Sequence, residues 1–100
     1  MKYNSVIRLL FAALILSSNV AYAQTIISGR VVDESGVSLP GVNVLEMNTT
    51  NGTATDVDGS YTLKVQDNAA LVFSYIGFLE LEVPVNGRTT INITMVSDAT

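Results

Sequence analysis

Tyr61-Thr62-Leu63-Lys64-Val65 and, after an interval of five residues, Leu71-Val72-Phe73-Ser74-Tyr75 decide how this chain folds. In both runs every second residue is large and apolar, which is the period of a half-buried β-strand and incompatible with a helical stripe. Two such strands supply the aromatic and aliphatic side chains of a core. No later stretch sustains an i, i+3, i+4, i+7 pattern, so the chain after residue 24 reads as all β.

On the N-terminal side, Thr25 to Asp33 is a strand with Ile27 and Val31 facing inward. Gly29 lies between them, where a missing side chain permits a bulge or a close backbone contact. Glu34-Ser35-Gly36 turns the chain, and Leu39-Pro40-Gly41 fits a type II turn, with Pro second and Gly third. Val42 and Val44 begin another strand. Asn51-Gly52 and Asp58-Gly59 tolerate left-handed backbone and bracket a tight strand or loop at Thr53-Ala54-Thr55. On the C-terminal side, Leu79-Glu80-Leu81-Glu82-Val83-Pro84-Val85 alternates apolar with acidic residues or Pro. Pro84 cannot donate to a ladder, which assigns this strand to a sheet edge. Asn86-Gly87 predicts a hairpin onto the run carrying Ile91, Ile93 and Met95. About seven short strands in this length predict a two-sheet sandwich with antiparallel pairing.

The first 23 residues read differently. Lys2 and Arg8 precede the apolar run Leu9 to Leu16, and Ala21-Tyr22-Ala23 places small residues where a secretory cleavage site requires them. Ser17, Ser18 and Asn19 cut the apolar run too short to span a bilayer, and Gln24 stands where a lipoprotein would need Cys. Residues 1–23 are therefore read as a cleaved signal peptide. From Gln24 onward nine acidic side chains face only Arg30, Lys64 and Arg88, a net charge of −6. That balance offers no footprint for nucleic-acid phosphates. The chain has no Cys, His or Trp, which removes disulfides, thiolate chemistry, the commonest zinc ligands and the commonest general base. An exported domain without Cys suits a bacterial host.

Few residues point to chemistry. Asp56-Val57-Asp58-Gly59 has the look of a calcium loop, but with Gly59 in the loop's glycine place the first and last ligand positions fall on Ala54 and Val65. The alternative is a turn held by Asx hydrogen bonds. Glu80 and Glu82 share a strand face without a neighbouring cation or ring and read as solvated. No His is present to activate the Ser and Thr hydroxyls, and Lys64 alternates outward. Tyr61, Phe73, Tyr75 and Phe78 are candidates either for the core or for a carbohydrate-binding face. The Pro84 edge admits two accounts. It accepts an extended peptide as an added strand, in which case Val83→Pro removes a further free N–H, or Glu80, Glu82 and Pro84 protect it from other strands.

In order along the chain, Ile27-Ser28-Gly29-Arg30-Val31-Val32-Asp33-Glu34-Ser35-Gly36, Leu39-Pro40-Gly41-Val42-Asn43-Val44, Gly52-Thr53-Ala54-Thr55-Asp56-Val57-Asp58-Gly59-Ser60-Tyr61 and Phe73-Ser74-Tyr75-Ile76-Gly77-Phe78 resemble the blocks of the carboxypeptidase-regulatory-like domain. The resemblance implies a seven-stranded transthyretin-like (prealbumin-like) β-sandwich over residues 24–97, with 98–100 beginning a linker to a further C-terminal region. It implies a non-catalytic accessory domain at the N-terminus of a SusC-like TonB-dependent outer-membrane transporter. Such a domain lies on the periplasmic face, meets periplasmic proteins or the rest of its own chain, and touches the membrane only through a C-terminal barrel. It implies no catalytic, cofactor-binding or metal-binding residue and no cofactor. The alternative from another class is a stand-alone secreted carbohydrate-binding or adhesion module using the Asn48 to Thr55 loop.

Overall fold

The computed structural model describes residues 23–98, and the signal-peptide reading lies almost wholly outside them. Seven strands form: β1 (Gln24–Asp33), β2 (Asn43–Glu46), β3 (Gly52–Ala54), β4 (Ser60–Gln66), β5 (Ala70–Ser74), β6 (Leu81–Pro84) and β7 (Ile93–Met95). They make a three-stranded sheet in the order β4-β1-β7 and a four-stranded sheet in the order β3-β2-β5-β6. The all-β sandwich is as the alternation predicts. Ile27, Val31, Tyr61, Leu63 and Val65 from the first sheet meet Val44, Leu71 and Phe73 from the second in a single buried cluster. The Tyr61 ring stands edge-on to Phe73 at a centroid distance of 5.6 Å, joining the two sheets.

Two details depart from the expected pairing. Asn86 and Gly87 both take positive φ, and Arg88 N–H donates to the Val85 carbonyl at 3.0 Å, so the tight turn forms. Its flanks nevertheless separate: Val85 N–H donates to Ala69 beside β5, whereas Thr89 accepts from Ser28 of β1. The turn carries the chain from one sheet to the other instead of closing a hairpin. As a consequence β7 pairs parallel to β1, with Val31 opposite Ile93 and Asp33 opposite Met95. The other pairings are antiparallel. The reason is directional. A strand returning after β6 must run back along the sandwich, and the β1 edge it meets runs the same way.

Gly29 sits where these constraints converge. A Cβ on it would lie 1.9 Å from the Ile91 carbonyl oxygen, a backbone atom that cannot swing aside. Across the other ladder Gly29 faces Tyr61, whose hydroxyl passes over the bare glycine and donates to that same carbonyl at 2.7 Å. Because Ile91 O is taken, the next ladder donor, Arg30 N–H, is satisfied by the Asn92 side-chain oxygen at 3.0 Å. Burial pushes the Tyr61 phenol up from 10.0 to about 12, with the Arg88 charge pulling partly back.

Three outcomes follow from this packing. Phe73→Ala should destabilise the fold by about 3–5 kcal/mol in urea melts, because the ring is fully buried. Gly29→Ala should cost about 1–3 kcal/mol or more, up to loss of folding, since the added methyl meets backbone. The unfolded phenol ionises near pH 10 and the folded one does not until about 12. Stability should therefore be intact below pH 10 and decline by about 2–3 kcal/mol as pH rises through that window. Tyr61→Phe should abolish this decline while lowering stability at neutral pH.

Candidate functional site

Two short segments of the same form, Asp33-Glu34-Ser35-Gly36-Val37 and Asp56-Val57-Asp58-Gly59-Ser60, build one end of the sandwich. In the first, Asp33 Oδ1 accepts from Ser35 N–H at 2.8 Å and Val37 N–H at 3.0 Å. In the second, Asp56 Oδ1 accepts from Asp58 and Ser60 N–H, each at 2.9 Å. Each segment also has the same backbone bonds, Gly36 to Asp33 and Gly59 to Asp56, both at 2.9 Å. Gly36 and Gly59 supply the positive φ that ends each turn. The carboxylate of Asp56 thus works as the Asx lock of a turn, the role the turn reading assigns to it. Among the described residues no three His, Cys, Asp or Glu side chains converge as a metal-binding group.

Arg30 ties the two turns together. Its Nε donates to the Asp58 carbonyl at 2.9 Å, and its Nη2 reaches the Ser38 hydroxyl. Beside them, buried Thr55 anchors the Leu39-Pro40-Gly41 turn, whose Gly41 has the φ of +82° that a type II turn requires. Thr55 Oγ1 donates to the Leu39 carbonyl at 2.5 Å and accepts Val42 N–H at 2.9 Å. The 75–78 turn and the C-terminal segment close the same end, through Leu79 N–H to Val96 O at 2.9 Å and Asp98 N–H to Gly77 O at 2.8 Å.

This end carries large apolar side chains in the open. Val37, Val57 and Ile76 are 59%, 85% and 96% exposed at the three turn tips, and Leu79 and Val96 lie half exposed just below. Among the described residues the opposite end, formed by Gln24 and the 47–51, 67–69 and 86–88 turns, has no apolar turn tip of this kind, though Ile26 on β1 beside it is 59% exposed. The described chain leaves at Asp98, on the apolar side. Such clustering marks a contact surface better than a reaction site.

The other candidates are accounted for structurally. Tyr61 and Phe73 are buried, and Tyr75 and Phe78 pack against the core with ring centroids 5.7 Å apart, so the four rings form no exposed platform. Glu80 and Glu82 are exposed on β6 and its approach. The Asn48 to Thr55 loop is braced from within: Asn51 Nδ2 donates to Glu46 Oε1 at 3.0 Å and to the Lys64 carbonyl at 2.7 Å. Glu46 is buried, and sequence reading missed it because it sits on the inward register of β2, at a position where an aliphatic residue is expected. A shallow concavity of about 500 Å³ does lie over the outer face of β3-β2-β5, lined by residues including Asn43, Leu45, Thr53 and Ser74 and by no aromatic ring.

A family model of the CarboxypepD_reg-like domain matches residues 27–100, spanning both Asx turns, the Gly29 crossing and the apolar end. The chain belongs to the CarboxypepD_reg-like domain family. This domain is 38% identical over 94 residues to the TonB-dependent receptor P39 of Formosa agariphila, covering 93% of the chain and 9% of the receptor. It is 34% identical over 86 residues to the TonB-dependent receptor SusC of Bacteroides thetaiotaomicron, covering 86% of the chain and 9% of that protein. The chain thus spans about a tenth of the length of these relatives. Among solved structures, a chain of a type II cohesin–X–dockerin complex of Acetivibrio cellulolyticus superposes with a TM-score of 0.55 at 21% identity, covering 70% of this domain and 52% of that chain. The 3-chlorocatechol 1,2-dioxygenase of Rhodococcus opacus 1CP gives 0.54 at 15% identity, covering 77% and 60%. At such identities the likeness concerns the fold alone. The CarboxypepD_reg-like domain therefore shares its ancestry with segments of TonB-dependent receptors.

Thr55→Val keeps the shape but orphans the Leu39 carbonyl and the Val42 amide. It should cost about 1–3 kcal/mol for each group in thermal or urea unfolding, while leaving the β-rich circular dichroism spectrum of the remaining folded fraction unchanged.

Proposed function

We propose that this chain is a non-catalytic accessory domain of a TonB-dependent, SusC-like outer-membrane nutrient transporter, held on the periplasmic side and acting by protein contact. The observation that carries the reading is the match to such receptors, which runs along most of this chain and occupies only 9% of theirs. Transport then belongs to the remaining length of the relatives. The arrangement of the domain supports this division. Its carboxylates lock turns, brace a loop or point to solvent, its aromatic rings pack in or against the core, and its most exposed apolar residues, Val57 and Ile76, stand at the end that carries Asp98.

In this reading residues 1–23 direct export and are removed before Gln24, residues 24–97 form the domain, and 98–100 begin the linker. The contact partner is the rest of the transporter chain or a periplasmic protein, met through Val37, Val57 and Ile76. The test is a photo-crosslinking amino acid placed at position 57 in cells that express the domain. The crosslinked species should contain a TonB-dependent receptor polypeptide and fractionate with the outer membrane, and the mature N-terminus read by mass spectrometry should be Gln24. Pairing Val37→Asp with Ile76→Asp should abolish the crosslink without lowering the melting temperature, since both side chains are already in water. Recovery of the domain in the cytoplasm, or a crosslink unaffected by the two aspartates, would refute the reading.

A further inference from the structure

We infer that the free edge of β6 is a docking site for an extended peptide with basic and apolar residues in alternation, which would join the four-stranded sheet as a fifth strand. The inference goes beyond the accessory role above, because it concerns a different face and stands whichever protein the domain accompanies.

The register shows which backbone groups the edge offers. Phe73 pairs with Leu81 and Leu71 with Val83, and Val85 N–H donates to Ala69 O at 2.9 Å. In an antiparallel ladder such hydrogen-bonded pairs alternate with non-bonded ones. Within β6, Leu81 and Val83, followed by Val85, therefore turn N–H and C=O toward β5, and Glu82 and Pro84 turn theirs outward, where no further strand lies among the described residues. Before β6 the chain has already left this ladder, since Leu79 N–H donates to Val96 O. This corrects the sequence expectation that Val83→Pro would remove a free donor: Val83 N–H belongs to the inner ladder, and the outward donor is Glu82. Pro84 has no N–H, and its carbonyl accepts from Arg88 Nη2, so the edge is closed at that end. It is open at Glu82, whose N–H and C=O point away from β5.

The side chains decide what kind of strand fits. On the inner face, Leu79 and Leu81 stay 50% and 37% exposed and, with Glu80, Thr94, Met95 and Val96, line a cleft of about 170 Å³ where the β6 and β7 edges diverge. An edge built only to repel other strands would place charge at the inward positions of β6, but Leu81 and Val83 hold them, and Glu80 is the one charged residue lining the cleft. On the outer face, the cross-strand neighbour of Glu82 is Val72, and Ser74 stands next along β5, so neither carboxylate meets a cation across the sheet. An added strand would set one row of its side chains over the apolar cleft and the other beside two uncompensated carboxylates. Alternating apolar and Lys or Arg residues satisfy both rows. An acidic chain, including a second copy of this edge, would bring like charges opposite one another.

The test uses eight-residue fluorescent peptides with blocked ends: alternating Val and Lys, alternating Val and Glu, and the Val/Lys composition rearranged into two blocks. Anisotropy titration of the purified chain should show the alternating Val/Lys peptide binding at least tenfold tighter than either of the others. Glu82→Pro should weaken that binding at least tenfold, and Glu80→Lys with Glu82→Lys should shift the preference to the Val/Glu peptide. Independently of whether the proline variant folds, the peptide should slow hydrogen exchange of the Glu82 amide in the unaltered chain. The inference is overturned by equal affinity for alternating and blocked peptides, which is charge attraction alone. It is also overturned by unchanged exchange at that amide, by no binding at millimolar peptide, or by sedimentation showing that the edge is filled by a second copy.

Discussion

The hydrogen bond from the Tyr61 hydroxyl to the Ile91 carbonyl, made across the bare Cα of Gly29, is the constraint on which the rest of the sandwich depends. It needs three strands at once: β4 to supply the phenol, β1 to supply the gap, and the approach to β7 to supply the acceptor. The same tyrosine ring rests against Phe73 in the opposite sheet. One side chain thereby fixes the width of the first sheet and its distance from the second. The cost is a ladder carbonyl diverted from β1, and the Asn92 side chain makes good the donor left behind. Buried polar groups in a core this small have to be paired in this way, because each orphan would cost a sizeable share of the total stability.

The polar side chains of the domain are mostly spent on its own backbone. Asp33 and Asp56 lock matching turns, Arg30 clamps those turns to each other, Thr55 holds the Pro40 turn, and Glu46 with Asn51 braces the far loop. A carboxylate that accepts two amides in an exposed turn is placed for rigidity rather than for proton transfer. The outcome is a stiff end whose turn tips hold Val37, Val57 and Ile76 in solvent. Rigid presentation of apolar residues lowers the entropy lost on contact, which is what the proposed role in protein contact requires.

The two sheets also differ in how their borders are treated. The β6 border is sealed at Pro84 by the loss of a donor and the capture of its carbonyl, yet one turn of the pleat away it leaves backbone groups free above apolar side chains. The corner at 77–79 and 96–98 is stitched by backbone bonds, so the opening between β6 and β7 is bounded at that end. Protection and availability therefore occupy different parts of one short strand.

Alternation by itself determined that the chain is all β, which residues face inward at Ile27, Val31, Tyr61, Leu63, Val65, Leu71 and Phe73, and where Gly41 and Gly59 must reverse the chain. These are local properties, set by the two-residue period of a strand and by the few residues that tolerate positive φ. The edge position of the Pro84 strand was legible for the same reason, since a missing N–H is visible in one residue. The partner of each strand was not. Asn86-Gly87 makes the tight turn its sequence promises, but whether its flanks close on each other depends on which sheet edge is vacant when the chain returns, and β1 offered the vacancy. Likewise, nothing local distinguishes Glu46 from a solvated glutamate until Asn51 and the Gln66 amide are brought beside it. The apolar end and the half-open β6 edge arise only when turns distant in sequence are gathered by the fold, because exposure is a property of neighbours in space.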